Sequence, residues 1–205
     1  MGARARTAPP LVLTVGHSNR PLDEFLLLLR EHQVTLVADV RKMPHSRGNP
    51  QFNHDTLPEA LGEADIGYVH LPQLGGLRRR RPDSPNTGWQ NASFQGYADY
   101  MLTPAFEEGL QELLNRAPGQ RVALMCAEAV PWRCHRSLIA DALTVRGVTV
   151  EHILSATRTQ PHVLRPFARV DGARITYPAV AAGRAAIRRN KRRPGRPGQR
   201  PRQSR

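Results

Sequence analysis

Residues 121–147 read RVALMCAEAVPWRCHRSLIADALTVRG. The opening RVALMCAE (121–128) is a short apolar run of strand length, with Cys126 near its end. CHRSLIADALTVRG (134–147) then places Leu138, Ile139, Ala142 and Leu143 at helical spacing, and Gly147 suits a helix stop. A polar loop lies between them. It collects Cys126, Glu128, Arg133, Cys134, His135 and Arg136 where the strand hands over to the helix. TVEHIL (149–154) is the next strand, so the stretch reads as one β–α–β unit.

The same alternation runs back to the start. LVLTVG (11–16), TLVADV (35–40) and GYVHLP (67–72) read as buried strands. PLDEFLLLLREHQ (21–33) is an amphipathic helix, with Pro21 suited to its first turn and Asp23 and Glu24 near its positive end. A short helix fits 56–64, and a long helical stretch over 93–117 is broken before Pro104. The pattern predicts a single α/β domain with a mainly parallel, open, Rossmann-like sheet of about five strands and helices on both faces. Right-handed crossovers put every strand's C-terminal end at one edge, where ligands dock in such sheets. The residues at that edge are His17 and Arg20 beyond Gly16, Asp39 and Arg41, Gly75 and Gly76, and the 126–136 loop.

The expected organisation is a flexible N-terminus (1–10), the α/β domain (11–155), an extension packing on it (156–180) and a disordered Arg/Pro/Gly-rich tail (181–205). Within the extension, ARITYP is an edge strand or part of a surface wrap. Net charge is +13, and ten Lys/Arg with no Asp or Glu fall in the tail, which leaves +3 for the first 180 residues. Two cysteines make no disulfide framework. No apolar run approaches the roughly 20 residues of a membrane helix. These features point to a soluble, cytoplasmic protein with reduced thiols and no membrane partner. They carry no signal of oligomeric state.

TVGHSNR, ADVRKMPHSR, LPQLGG, FQGYADYM and CAEAVPWRCHRSLIADAL, in this order over roughly residues 11–155, resemble the family called domain of unknown function 488. The resemblance implies a compact bacterial or archaeal α/β domain. It supplies no reaction, so chemistry has to be argued from the residues.

A helix starting near Arg136 offers free N–H groups and a positive dipole end to an anion. Arg133 and Arg136 add charge to that place, with Cys134 and His135 beside it. The layout resembles the strand–loop–helix cradle of cysteine phosphatases and rhodaneses, but six residues separate Cys126 from Arg133, one more than in those cradles. Cys126 reads as a nucleophile or as a small buried hydrophobe. Glu128 reads as a general acid or base, or as the ion-pair partner of Arg133 or Arg136. His17 is a ligand contact or proton carrier. Asp39 and Arg41 share a strand face, as a site orienter or as an internal ion pair that anchors the next loop. Arg20, Arg41, Gly75 and Gly76 complete the anion-binding set. Arg78, Arg79, Arg80 and Arg81, with Arg192, Arg193 and Arg196 of the tail, are candidate nucleic-acid contacts. Trp89, Phe94, Tyr97 and Tyr100 are nearby aromatics that stack bases or pack in the core.

These readings lead to a small cytoplasmic enzyme, a hydrolase or transferase, that binds a phosphate-bearing nucleotide or nucleic-acid end. The alternative is a non-catalytic nucleic-acid-binding module that uses the basic loops and tail. No dinucleotide fingerprint or phosphate-loop lysine motif is present, so neither NAD nor ATP is expected. Cys126, Cys134, His135 and His17 are conceivable zinc ligands. Their spacing fits none of the usual zinc patterns, so no cofactor and no metal ligand is assigned.

Overall fold

Each apolar run becomes a strand, and the central ones have both faces covered. The structure is a computed structural model that describes residues 10–179. The expected N-terminal arm up to residue 9 and the basic tail, with Arg192, Arg193 and Arg196, lie outside the described residues. Five parallel strands, β1 (Leu11–Gly16), β2 (Leu36–Asp39), β3 (Gly67–His70), β4 (Val122–Cys126) and β5 (Thr149–Ser155), stand in the order β3-β2-β4-β1-β5. A sixth, β6 (Arg158–Pro161), adds antiparallel outside β5. The helices are α1 (Leu22–Glu31), α2 (Leu57–Gly62), α3 (Ala92–Tyr100), α4 (Pro104–Arg116) and α5 (Arg136–Thr144). Asn91 caps α3 by accepting from Ser93 N at 2.8 Å, and Pro104 opens α4 after the expected break.

Strand alternation sorts the core into two layers. Leu13, Val15, Ala123 and Met125 pack on one face against Phe25, Leu29, Leu57 and Leu61 of α1 and α2. Val12, Val122, Leu124 and Cys126 face the other way, toward α3, α4 and α5. Helices therefore lie on both faces of a mostly parallel sheet. The chain leaves β1 through α1 in one direction and the adjacent β4 through α5 in the opposite direction. The crevice between the ends of β1 and β4 is thus the topological switch point.

Residues 155–179 correct one expectation. The sheet's edge is β6, whose RTQP sequence is mostly exposed and shows no apolar alternation to read. ARITYP instead supplies β8 (Arg174–Thr176), which pairs with β7 (Arg169–Asp171) in a separate two-stranded sheet and buries Ile175 and Tyr177.

A buried polar chain ties these parts together. Thr14 Oγ1 lies 2.7 Å from His152 Nδ1, and His152 Nε2 lies 3.0 Å from His162 Nδ1. His162 Nε2 meets Asp141 Oδ1 at 2.7 Å, and Tyr177 donates to Asp141 Oδ2 at 2.6 Å. The chain links β1, β5, the segment after β6, α5 and the segment after β8.

Burial, then the neighbouring His162 and the Arg136 guanidinium, lower the His152 pKa from 6.5 to about 3. Between those values the unfolded chain binds a proton that the folded protein excludes, so stability falls as pH falls through this window. The expected slope from this residue is about 1.4 kcal/mol per pH unit. His152→Asn, which keeps an acceptor for Thr14, should flatten that slope in urea denaturation series at graded pH.

Candidate functional site

The hydrogen bonding of the sheet continues past the ends of its strands. His17 N donates to Cys126 O at 3.0 Å, Ser18 N to Ala127 O at 2.9 Å and Val40 N to Met125 O at 3.0 Å. Gly16 pairs with Cys126 across this edge. A Cβ on Gly16 would lie 2.0 Å from Glu128 O, so only glycine lets the loop after β4 cross here.

The predicted residues gather at this edge but divide between the faces of the sheet. On the α1/α2 face, Arg41 forms a bidentate pair with Asp39, through Nε to Oδ1 at 2.9 Å and Nη2 to Oδ2 at 2.6 Å. Asp39 is wholly buried and Arg41 nearly so. Arg41 Nη2 also donates to Phe52 O at 2.7 Å, and Nη1 lies 3.3 Å from His17 Nε2. Tyr68 donates to Asp39 Oδ2 at 2.9 Å. His17 stacks on Phe52 at 4.2 Å, and its Nδ1 lies 2.7 Å from Ser18 O. Burial, then the Arg41 charge, lower the His17 pKa to about 4, so the ring is neutral at neutral pH. This side is a saturated ion-pair cluster that fixes the loop after β2.

On the other face, Cys126 at the end of β4, Cys134 and His135 converge. His135 Nδ1 lies 3.9 Å from Cys126 Sγ and 3.7 Å from Cys134 Sγ. The hydrogen bond from the Cys126 thiol, helped by His135 and Arg136, holds Cys134 well below the usual thiol range, and the same bond with burial pushes Cys126 up. Among the described residues, these three form a group of side chains whose ligand atoms lie close enough together to share a metal ion. They open onto a cavity of about 250 Å³ whose wall also includes Gly76, Phe94, Tyr97, Glu128 and Arg133.

The remaining predicted residues have definite places. Arg136 is buried, and its Nη1 and Nη2 donate to the carbonyls of Glu128 and Ala129, the latter at 2.8 Å. It holds the loop from within. Ser137 N and Leu138 N at the start of α5 donate to Cys134 O and His135 O, so this helix end offers fewer free donors than the sequence suggests. Glu128 is exposed and accepts from Val130 N at 3.1 Å. Arg133 is exposed and has no ion-pair partner among the described residues. Arg20 donates to Gly16 O at 2.5 Å and pairs with Glu24. A Cβ on Gly75 would meet Lys42 Cα at 2.8 Å, and one on Gly76 would meet His135 Nδ1 at 2.9 Å.

Arg78 lies 3.5 Å over the Tyr100 ring and donates to Gly75 O, Arg81 pairs with Asp83, and Arg79 and Arg80 are exposed. Tyr97 is buried and donates to Leu74 O at 2.7 Å.

Sequence reading missed Tyr68, Phe52 and the His152 chain. His152 had a signal: in TVEHIL it shares a strand face with Val150, which is buried. Phe52 and Tyr68 had none, because their roles depend on a loop folding back and on strand pairing.

Residues 21–143 match the family described as Domain of unknown function DUF488, and the chain belongs to that family. No curated protein and no solved structure matches it. The matched span covers Asp39, Arg41 and the whole cysteine loop, and starts just after His17.

Removing Asp39 leaves a buried, unpaired guanidinium. Asp39→Ala should cost about 3–5 kcal/mol of stability, and Asp39→Ala/Arg41→Met distinctly less than the sum of the single changes. Tyr68→Phe should cost about 1 kcal/mol. Urea denaturation of the four variants measures all of these.

Proposed function

We propose that the cavity outside β4 is the site of a small enzyme that binds the phosphate group of a nucleotide or nucleic-acid end and carries out hydrolysis or group transfer there. The observation that carries this reading is the convergence of two thiols and an imidazole on the wall of a cavity that also holds Arg133. That cavity lies just beyond the C-terminal end of β4, on the sheet edge where open α/β sheets bind ligands. Arg133 is free to meet an anion. The half-buried Phe94 on the same wall gives a base or other planar group an aromatic contact. The cysteine–histidine cluster is the reactive centre, and Glu128 is the nearby carboxylate for proton transfer.

Asp39, Arg41 and His17 support the site from the opposite face of the sheet. Free thiols suit a reducing compartment such as the cytoplasm. Among the described residues no helix is long and apolar enough to cross a membrane.

The test is turnover of nucleotides and of aryl mono- and diesters of phosphate by the full chain, Arg133→Ala, and a chain truncated after residue 180. Arg133→Ala should lower kcat/KM at least about tenfold, roughly 1.4 kcal/mol, and truncation should leave it unchanged. No turnover by the full chain, with polynucleotide binding lost on truncation, would instead identify a nucleic-acid-binding module.

A further inference from the structure

We infer that Cys126, Cys134 and His135 form a zinc site whose fourth coordination position faces the cavity. The three ligand atoms lie within 4.8 Å of one another, and the two measured sulfur–nitrogen separations are 3.9 and 3.7 Å. Tetrahedral zinc with bonds of about 2.3 Å to sulfur and 2.0 Å to nitrogen needs separations of about 3.6 Å between S and N and 3.8 Å between two S atoms. The two sulfur–nitrogen edges are therefore close to those of such a tetrahedron, and the sulfur–sulfur edge is no longer than 4.8 Å.

The hydrogen bonding around His135 is also that of a metal ligand. His135 Nε2 lies 3.0 Å from Val40 O. A carbonyl only accepts, so Nε2 carries a proton, and in the neutral ring Nδ1 turns its lone pair toward the sulfurs. One lone pair then faces two sulfurs, at 3.7 and 3.9 Å, so three donor atoms crowd a single point. A backbone carbonyl on the far nitrogen is the usual support of a metal-bound histidine.

The ring is also held from its sides. The Tyr97 ring lies 4.9 Å away, with its hydroxyl tied to Leu74 O. Gly76 leaves the space that any larger residue would take from Nδ1.

Two thiolates and an imidazole are a donor set that zinc favours. Three protein ligands with a fourth position open to a cavity is the arrangement of a catalytic site, whereas structural sites close all four. The fourth position then takes a water or the anionic group of a substrate beside Arg133. This assignment uses the location of the proposed active site but not its substrate.

The test strips the reduced full-length chain with a chelator, titrates it with Zn²⁺ against a chromophoric competitor, and records the spectrum with Co²⁺. One zinc per chain is expected, with Kd below micromolar. Cobalt should show tetrahedral visible bands and a thiolate-to-cobalt charge-transfer band, both displaced by zinc.

Cys126→Ser, Cys134→Ser and His135→Ala should each weaken binding more than about 100-fold, and Gly76→Ala about tenfold, the range for losing a ligand or its support. If the cysteine variants fail to fold, the wild-type charge-transfer band decides alone, because it reports thiolate ligands directly. Substoichiometric zinc, a Cys126–Cys134 disulfide formed in place of metal binding, or zinc that survives Cys134→Ser would overturn the assignment. Arg133→Ala should keep its zinc, so loss of turnover there with zinc retained tests the anion site separately. Zinc binding without turnover of any phosphate substrate would sink only the enzyme reading. Arg133-dependent turnover without zinc would sink only the metal site.

Discussion

The close crossing of the loop after β4 over Gly16 governs the functional edge of this protein. Glu128 O stands where a side chain at position 16 would be, and the bonds from His17 N and Ser18 N carry the β1–β4 pairing beyond the strands. Arg136 then clamps the same loop from inside through the carbonyls of Glu128 and Ala129. With the loop pinned at both points, Cys134 and His135 are returned to the end of β4, beside Cys126. Without that crossing the thiols would have no reason to meet. The whole candidate site therefore depends on one glycine and one buried arginine, neither of which touches the cavity in the description above.

The sheet separates two kinds of polar cluster that look alike in the sequence. Asp39, Arg41, His17 and Tyr68 saturate one another on the α1/α2 face. A buried ion pair of that kind adds little net stability but is costly to break, which makes it a rigid anchor. The cysteine cluster on the opposite face is different. It adjoins open volume, and beside it stands Arg133, which has no ion-pair partner among the described residues. The first cluster holds structure, and the second is the one on which the proposed site rests.

Much of this was legible from residue pattern. The strand–helix alternation, the break before Pro104 and the gathering of polar residues at one sheet edge all follow from local periodicity and crossover handedness. The division between faces was also within reach. Positions 15 and 17 point one way and 124 and 126 the other, the same alternation that placed Asp39 with Arg41. What could not be read was anything set by distant contacts. Examples are Phe52 stacking on His17, the commitment of Arg136 to carbonyls, and the edge role of RTQP, whose side chains lie in solvent and carry no pattern. The Cys-x7-Cys-His spacing matches no zinc pattern, and the convergence of the three side chains through a loop that doubles back is not captured by a linear spacing rule.

Anomalous diffraction at the zinc absorption edge, from crystals of the protein grown with zinc, tests the central claim most directly. The account predicts one strong peak per chain bonded to Cys126 Sγ, Cys134 Sγ and His135 Nδ1, at about 2.3 Å from the sulfurs and 2.0 Å from the nitrogen, with a fourth ligand on the cavity side. A map with the two sulfurs bonded to each other, or with the His135 ring turned away from them and the peak elsewhere, would contradict it.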